Sequence, residues 1–314
     1  MIPLIDLQDS QLDRTNGPLA HACESWGFFY LIGHDITHAE QAEVLAVARN
    51  FFNQDAIVKN RIRRTETNSW GYFDAELTKN QPDWKEILDI GPETISGPLA
   101  GSFPQWPPEP EFKLCVDGFQ TKQHNLAMAL MGAIVKTISP EPIPQDAFAD
   151  HSSFIRLNFY PPCPDPVAET DTLVPSKGKL GISHHTDAGA VTVLLQDSQP
   201  GLQVYNGARW QTLTPPDGAL IINVGDIVQV WSNDRYVAPT HRVLADSAQT
   251  RLSLPYFLNP SYEYSYAPLN TDAPKYAAIN WGEFRAKRSA GDYADLGTEV
   301  QITDYLLDRV QTDR

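Results

Sequence analysis

Cysteine is scarce in this chain, positive charge is outnumbered, and no apolar run is long. The three cysteines, Cys23, Cys115 and Cys163, are widely separated and odd in number. That excludes a disulfide scaffold and a cysteine-based zinc site, and fits reduced thiols in a cytosol-like compartment. Cys163 lies in the turn PPCPDP and reads as a packed thiol. Lys and Arg together number 24 against 39 Asp and Glu, a net charge of -15. Nucleic acid and anionic membrane surfaces attract Lys/Arg-rich faces, so neither is an expected partner. No stretch approaches the roughly 20 apolar residues of a spanning helix. The opening MIPLIDLQDS shows no charged segment followed by an apolar one, so no secretory signal is read. These absences lead us to expect a cytoplasmic protein, acting as a monomer on a small molecule.

What is present is globular: 42% hydrophobic and 20% charged residues over 314 positions, enough for a sizeable core in one large domain or two. IPLIDL (2–7) alternates as a short strand, a helix is predicted from about Leu12 to Trp26, and GFFYLIGH (27–34) is a strongly apolar strand. Thr37 with Glu40 forms a capping box that opens a helix reaching about Asn53, and Asp55 starts another short one. Trp70–Gly91 mixes aromatics with turn residues as a strand-like excursion. The six prolines and three glycines of 91–111 predict a surface loop. The longest predicted helix, Glu111 to Thr137, would extend about 40 Å.

From Phe154 the pattern changes to short apolar strands divided by turn signals: FIRLNFY, VTVLLQ, GLQVY, RWQTL, ALIINVG, IVQVWS, THRVL and RLSLPYF. This rhythm predicts an antiparallel sandwich or barrel. Helical patterns return near Lys275–Arg288 and Thr303–Val310. The organisation expected is a mostly helical region with short strands (1–150), a β core (151–260) and a helical tail (261–314), with no internal repeat.

The chemistry concentrates in LGISHHTDAGAVTVLLQ (180–196). On an extended strand His185 and Asp187 share a face and His184 takes the other. A buried imidazole and carboxylate are costly unless paired, hydrogen-bonded or bound to metal. His241, in PTHRV, is the best third ligand, and two histidines with one carboxylate suit iron(II) with open coordination positions. The plain alternative for each is a satisfied core histidine. Ten residues after His241, Arg251 and Ser253 share a strand face: a planar guanidinium fork beside a hydroxyl matches a carboxylate, although an ion pair with a resident acid would also satisfy Arg251. In FIRLNFY, Arg156, Asn158 and Tyr160 form one face, pointing either to solvent or to the site.

Taken together, IPLIDL, GFFYLIGH, RLNFYPPC, LGISHHTDAGAVTVLLQD, PGLQVYNGARWQTL, ALIINVGDIVQVWSNDRY, THRVL and RLSLPYF make the chain resemble the 2-oxoglutarate/Fe(II)-dependent dioxygenases of the isopenicillin N synthase-like family. The resemblance covers most of the chain in order. It implies a double-stranded β-helix, or jelly roll, mainly β with flanking helices and braced by the long helix. It implies His185, Asp187 and His241 as iron ligands. Arg251 and Ser253 would hold the far carboxylate of 2-oxoglutarate, helped by Tyr160 and Asn158. Arg156, Phe257, Asn259, Ile87 and Asp89 would border the substrate. Arg156 would pair with an acidic group and Phe257 would stack on a ring. The implied reaction is hydroxylation or desaturation of a small organic metabolite with O2, releasing succinate and CO2, with ascorbate as an optional accessory. Two rival readings remain open here: a family oxidase with the same triad that does not use 2-oxoglutarate, and a catalytically silent jelly-roll binding protein.

Overall fold

The computed structural model describes all residues except 66, 94–96, 98, 99, 145, 169, 171, 174, 176, 292–296, 298 and 311–314. Its strands in chain order are β1 (Leu4–Asp6), β2 (Phe28–Ile32), β3 (Gly71–Phe73), β4 (Leu77–Thr78), β5 (Gln81–Pro82), β6 (Glu86–Ile90), β7 (Phe154–Tyr160) and β8 (Leu180–His185). They continue as β9 (Val191–Gln196), β10 (Leu202–Tyr205), β11 (Trp210–Thr212), β12 (Leu220–Val224), β13 (His241–Leu244), β14 (Arg251–Leu258), β15 (Ser265–Tyr266) and β16 (Ile279–Asn280). The helices are α1 (Pro18–Ser25), α2 (His38–Phe52), α3 (Ala56–Lys59), α4 (Pro110–Ile138), α5 (Asp226–Trp231), α6 (Trp281–Ala290) and α7 (Leu307–Val310).

Two sheets make a jelly roll. The larger runs β1-β2-β12-β9-β14-β7-β6-β3 and the smaller β11-β10-β13-β8. Between them lies an apolar layer of Phe28, Tyr30, Leu194, Ile221, Leu202, Val204 and Val243, drawn from both sheets. The outer face of the larger sheet carries the main core, where Leu19, Val44, Phe51 and Ile134 of the helices meet Val193, Leu254 and Tyr256. The resulting order is helices, large sheet, small sheet, as two apolar sheet faces require. Residues 1–150 supply four strands of the larger sheet, so they share its ladder with the β core.

The bracing helix α4 has 29 residues, about 43 Å at 1.5 Å per residue. It is pinned as well as packed: the Gln123 amide donates to the carbonyls of Val193 (3.0 Å) and Leu254 (3.1 Å) on neighbouring strands. The capping box at Thr37 and Glu40 forms as expected.

Three expectations change. The helix predicted from Leu12 begins only at Pro18, whose ring suits a first helical position and whose missing N–H costs nothing there. IVQVWS is helical, not extended. Its apolar residues are buried all round, so alternation carries no information. The tail helix near Lys275 starts at Trp281, where the Asn280 side chain accepts from the Glu283 N–H. The excursion at 70–91 resolves into β3, the tight β4–β5 hairpin and β6. The loop predicted over 91–111 is partly outside the described residues; its end, from Pro110, already belongs to α4.

Candidate active site

β8 and β13 lie side by side in the smaller sheet, with His185 and His241 as direct partners across the ladder. Their rings sit 4.2 Å apart between centroids. Asp187 lies just past the end of β8, so its place beside His185 comes from the turn and not from strand alternation. Its Oδ1 is 3.7 Å from Nε2 of His185 and 3.6 Å from Nε2 of His241. The donor atoms of the three residues lie within 4.8 Å of one another.

The surrounding hydrogen bonds leave those atoms free to face inward. Nδ1 of His185 meets the Ser183 carbonyl at 2.8 Å, and Nδ1 of His241 meets the Pro239 carbonyl at 3.0 Å. Each carbonyl selects the tautomer with its proton on Nδ1, which leaves the Nε2 lone pair for a metal. The other oxygen of Asp187, Oδ2, accepts from Thr192 Oγ1 (2.5 Å) and Asn223 Nδ2 (2.7 Å). Thr192 and Asn223 face each other across β9 and β12. Burial raises the cost of an ionised Asp187, but the two imidazoles and these two donors outweigh it and hold its carboxyl below the ordinary value. Burial, and then the neighbouring His241, push the His185 imidazole down to about 3, so it is neutral and able to ligate. His184 faces away and is likewise held neutral, at about 4, chiefly by burial.

On β14, Arg251 is buried, with Nη2 donating to the Gln196 side chain at 2.9 Å. Among the described residues its Nε and Nη1 have no hydrogen-bond partner. Among the described residues no carboxylate pairs with it, so the resident-acid alternative fails. Buried unsatisfied guanidinium donors are costly; an incoming carboxylate would satisfy them. Ser253, Asn158 and Tyr160 gather beside it: the Ser253 hydroxyl is 3.4 Å from both the Asn158 amide and the Tyr160 hydroxyl. Register explains the grouping, since Arg251 pairs with Tyr160 and Ser253 with Asn158 across β14 and β7.

One open cavity of about 1150 Å³, counting its mouth, runs from Arg251 and Ser253 past the triad to Phe154, Phe257, Asn259 and Trp281. The polar face of FIRLNFY therefore points at the site. The expected substrate contacts divide. Phe257 and Asn259 line the cavity, and Phe257 packs on Phe154 at 5.0 Å between ring centroids. Ile87 and Asp89 are buried beneath the wall and do not line it.

Arg156 lines the cavity, but its expected pairing with an acidic ligand is replaced by internal partners. It donates to Asp89 Oδ1 and Oδ2 (both 2.8 Å) and to Glu76 Oε2 and Oε1 (2.8 and 2.9 Å). These belong to a buried cluster in which Arg64 also pairs with Asp89, and Lys85 with Glu76 (2.7 Å) and Asp83 (2.9 Å). Three cations meet three carboxylates, so the wall is close to neutral. Asp83 in turn accepts the Ser183 N–H at 3.1 Å, closing the open edge of the strand that carries His185.

Sequence reasoning missed Thr192, Asn223, Gln196 and Glu76. The first two had a signal: each is a polar residue flanked on both sides by apolar ones, in VTVLLQ and ALIINVG.

Comparison with known proteins agrees with this geometry. The model of the 2OG-Fe(II) oxygenase superfamily matches residues 151–260, and that of the non-haem dioxygenase in morphine synthesis N-terminal region matches 2–109. Gibberellin 20 oxidase 2 of Oryza sativa subsp. indica is 30% identical over 320 residues, covering 97% of this chain and 80% of that protein. Lateral branching oxidoreductase 1 of Arabidopsis thaliana is 30% identical over 305 residues, covering 90% and 79%. A full-length Neurospora crassa protein, crystallised in complex with α-ketoglutarate (2-oxoglutarate) and thymine, superposes with a TM-score of 0.77 at 25% identity, covering 93% of this chain and 97% of that one. The chain belongs to the 2OG-Fe(II) oxygenase superfamily. Within it, the protein is a 2-oxoglutarate- and Fe(II)-dependent dioxygenase acting on a small molecule with O2.

Proposed function

We propose that this enzyme hydroxylates, or desaturates, a small ring-containing molecule that carries no acidic group at the Arg156 wall. The observation that supports this most is the single cavity joining three parts: an unsatisfied cation at Arg251, the cluster of His185, Asp187 and His241, and the aromatic pair Phe154 and Phe257. A substrate ring would lie against Phe257 and Phe154, with Asn259 offering a polar contact. An acidic group there would find Arg156 already saturated by Glu76 and Asp89. The Neurospora crassa protein of similar fold, in its complex with thymine, takes a small flat ring.

His185 and His241, through Nε2, and Asp187, through Oδ1, would hold iron(II). Arg251 and Ser253 would bind the far carboxylate of 2-oxoglutarate, with Tyr160 and Asn158 steadying the Ser253 hydroxyl. Bound together, iron(II), 2-oxoglutarate and O2 supply the oxidising power to cleave an unactivated C–H bond, with succinate and CO2 as coproducts. This chain's residues orient the reactants and exclude water. Phe28 packs edge-on against the His241 ring, 5.3 Å between centroids, and Ile182, Leu194, Leu202 and Val243 make the neighbouring wall apolar. Ascorbate would serve only as an accessory reductant.

The same reading takes the enzyme as a cytoplasmic monomer that binds neither nucleic acid nor membrane. The net charge of -15 supports the part concerning nucleic acid and anionic membrane surfaces, and, among the described residues, no helix is long and apolar enough to cross a membrane. The test is a screen of neutral and acidic ring compounds that reads succinate release with Fe(II) and 2-oxoglutarate. Neutral rings should stimulate release above the uncoupled level, and Phe257→Ala should blunt that stimulation. Stimulation by acidic compounds alone would refute the substrate reading.

A further inference from the structure

The turn between His185 and Asp187 is held from two directions. Behind it, the carbonyls of Asp187, Gly189 and Ala190 accept from the N–H groups of Asp226 (2.8 Å), Ile227 (3.2 Å) and Gly225 (2.8 Å) at the start of α5. All of these lie in the jelly-roll core. The carbonyl of Thr186, in the middle of the His185–Asp187 pair, has a different donor: Nη2 of Arg288, on the C-terminal helix α6, at 3.1 Å.

Arg288 is buried and spans two structures. Its Nη1 donates to the Val300 carbonyl at 3.3 Å and lies 3.9 Å from Glu299 Oε2. The other oxygen of Glu299 accepts the Lys79 N–H at 2.9 Å, at the tip of the β4–β5 hairpin. There Lys79 and Asn80 both adopt left-handed backbone (φ 48° and 62°), as a two-residue hairpin turn requires. The neighbouring Asn80 amide donates to the Gly297 carbonyl at 2.7 Å. Thr78, Arg288 and Glu299 all line the cavity. One guanidinium therefore connects the contact between Glu299 and the β4–β5 hairpin with the peptide that joins two of the three clustered side chains.

We propose that Arg288 is a positioning residue, fixing the His185–Asp187 turn for metal binding. This rests on reading His185, Asp187 and His241 as the metal ligands. Removal of the guanidinium leaves the Thr186 carbonyl without its donor and lets the intervening peptide rotate, which spreads the two ligand atoms. Partners hydrogen-bonded directly to metal ligands are typically worth about 10- to 100-fold in metal affinity, and a donor that fixes the peptide between two ligands acts in the same direction.

The test is equilibrium titration of the metal-free, full-length protein with Co(II), following the visible d–d bands, for wild type, Arg288→Gln, Arg288→Lys and Asp187→Ala. Arg288→Gln should weaken Co(II) binding at least 10-fold and shift the bands. Arg288→Lys, whose single ammonium can reach the Thr186 carbonyl but not the Val300 carbonyl as well, should fall between wild type and Arg288→Gln. It carries the test alone if Arg288→Gln does not fold. Wild-type affinity and unchanged bands in the Arg288 variants would overturn the proposal, even if melting temperature fell. Undiminished Co(II) binding by Asp187→Ala would instead overturn the ligand assignment, and the proposal with it.

Discussion

His185 and His241 are direct cross-strand partners in an antiparallel pair, and both present Nε2 to the same oxygen of Asp187. Register, not sequence proximity, builds the cluster. Between the pairs His241–His185 and Val243–Ile182 the ladder is irregular. A bulge of this kind re-aims side chains at a strand end, where sites commonly form.

The two donors on Asp187 Oδ2 should matter as much as the carboxylate's charge. Asn223→Ala leaves Thr192 as the single donor and frees the carboxylate to rotate. We expect Fe(II) or Co(II) affinity to fall about 10- to 100-fold with the fold intact. Titration calorimetry, with circular dichroism as the control, checks this; an unchanged affinity would show that Thr192 suffices.

Arg251→Ala should raise the 2-oxoglutarate requirement steeply while metal affinity stays near wild type. A hydrogen bond to a charged group contributes about 1.5–3 kcal/mol, which is roughly 10- to 150-fold in KM. Succinate release at graded 2-oxoglutarate concentrations gives the number. The same KM as wild type would place the cosubstrate carboxylate elsewhere.

Arg156→Met tests whether the charged wall is structural. Breaking a buried pair by removing one partner typically costs about 3–5 kcal/mol. The lower end, about 3 kcal/mol, is expected because Arg64 and Lys85 still face Glu76 and Asp89. Urea denaturation measures the loss. A stability change under about 1 kcal/mol would mean the cluster is solvated and Arg156 is available to ligands after all.

Part of the acid sensitivity should arise away from the site, at the stacked rings of His124 and His151, 4.4 Å apart between centroids. Burial, and then His124, push the His151 imidazole down from 6.5 to about 4. The native state thus binds fewer protons than the unfolded chain between those values. Stability from this residue is intact above pH 6.5 and is lost as pH falls toward 4. The groups around the pair are Tyr256, whose hydroxyl is 2.8 Å from His124 Nδ1, and Asp150. Melting temperature measured from about pH 7.5 to 5 should drop less steeply in His151→Gln than in wild type; parallel curves would assign the acid loss to other groups.

The residues that the structure gathers around the cavity stood out in the sequence because they break a pattern. A histidine and a carboxylate in an apolar stretch, or an arginine and a serine alternating in a buried strand, are costly to bury unless paired, hydrogen-bonded or bound, which marks them without saying which of these applies. Alternation along β14 and β7 placed Arg251, Ser253, Tyr160 and Asn158 on common faces, and the ladder pairs those same residues. Strand periodicity also announced the β core, since side chains two apart must share a surface. Where burial was complete the signal vanished: IVQVWS is equally apolar as helix or strand.

Tertiary structure alone decided the fate of Arg156, because its partners Glu76 and Asp89 lie far away in the chain and only β6–β7 pairing and the β4–β5 excursion bring them within reach. It also recruited Thr192 and Asn223 to one oxygen of Asp187, and Arg288 to the Thr186 carbonyl. Local sequence governs which face a side chain occupies, because backbone geometry repeats every two or four residues. Which faces meet is set by the packing of distant segments, and no local period encodes that.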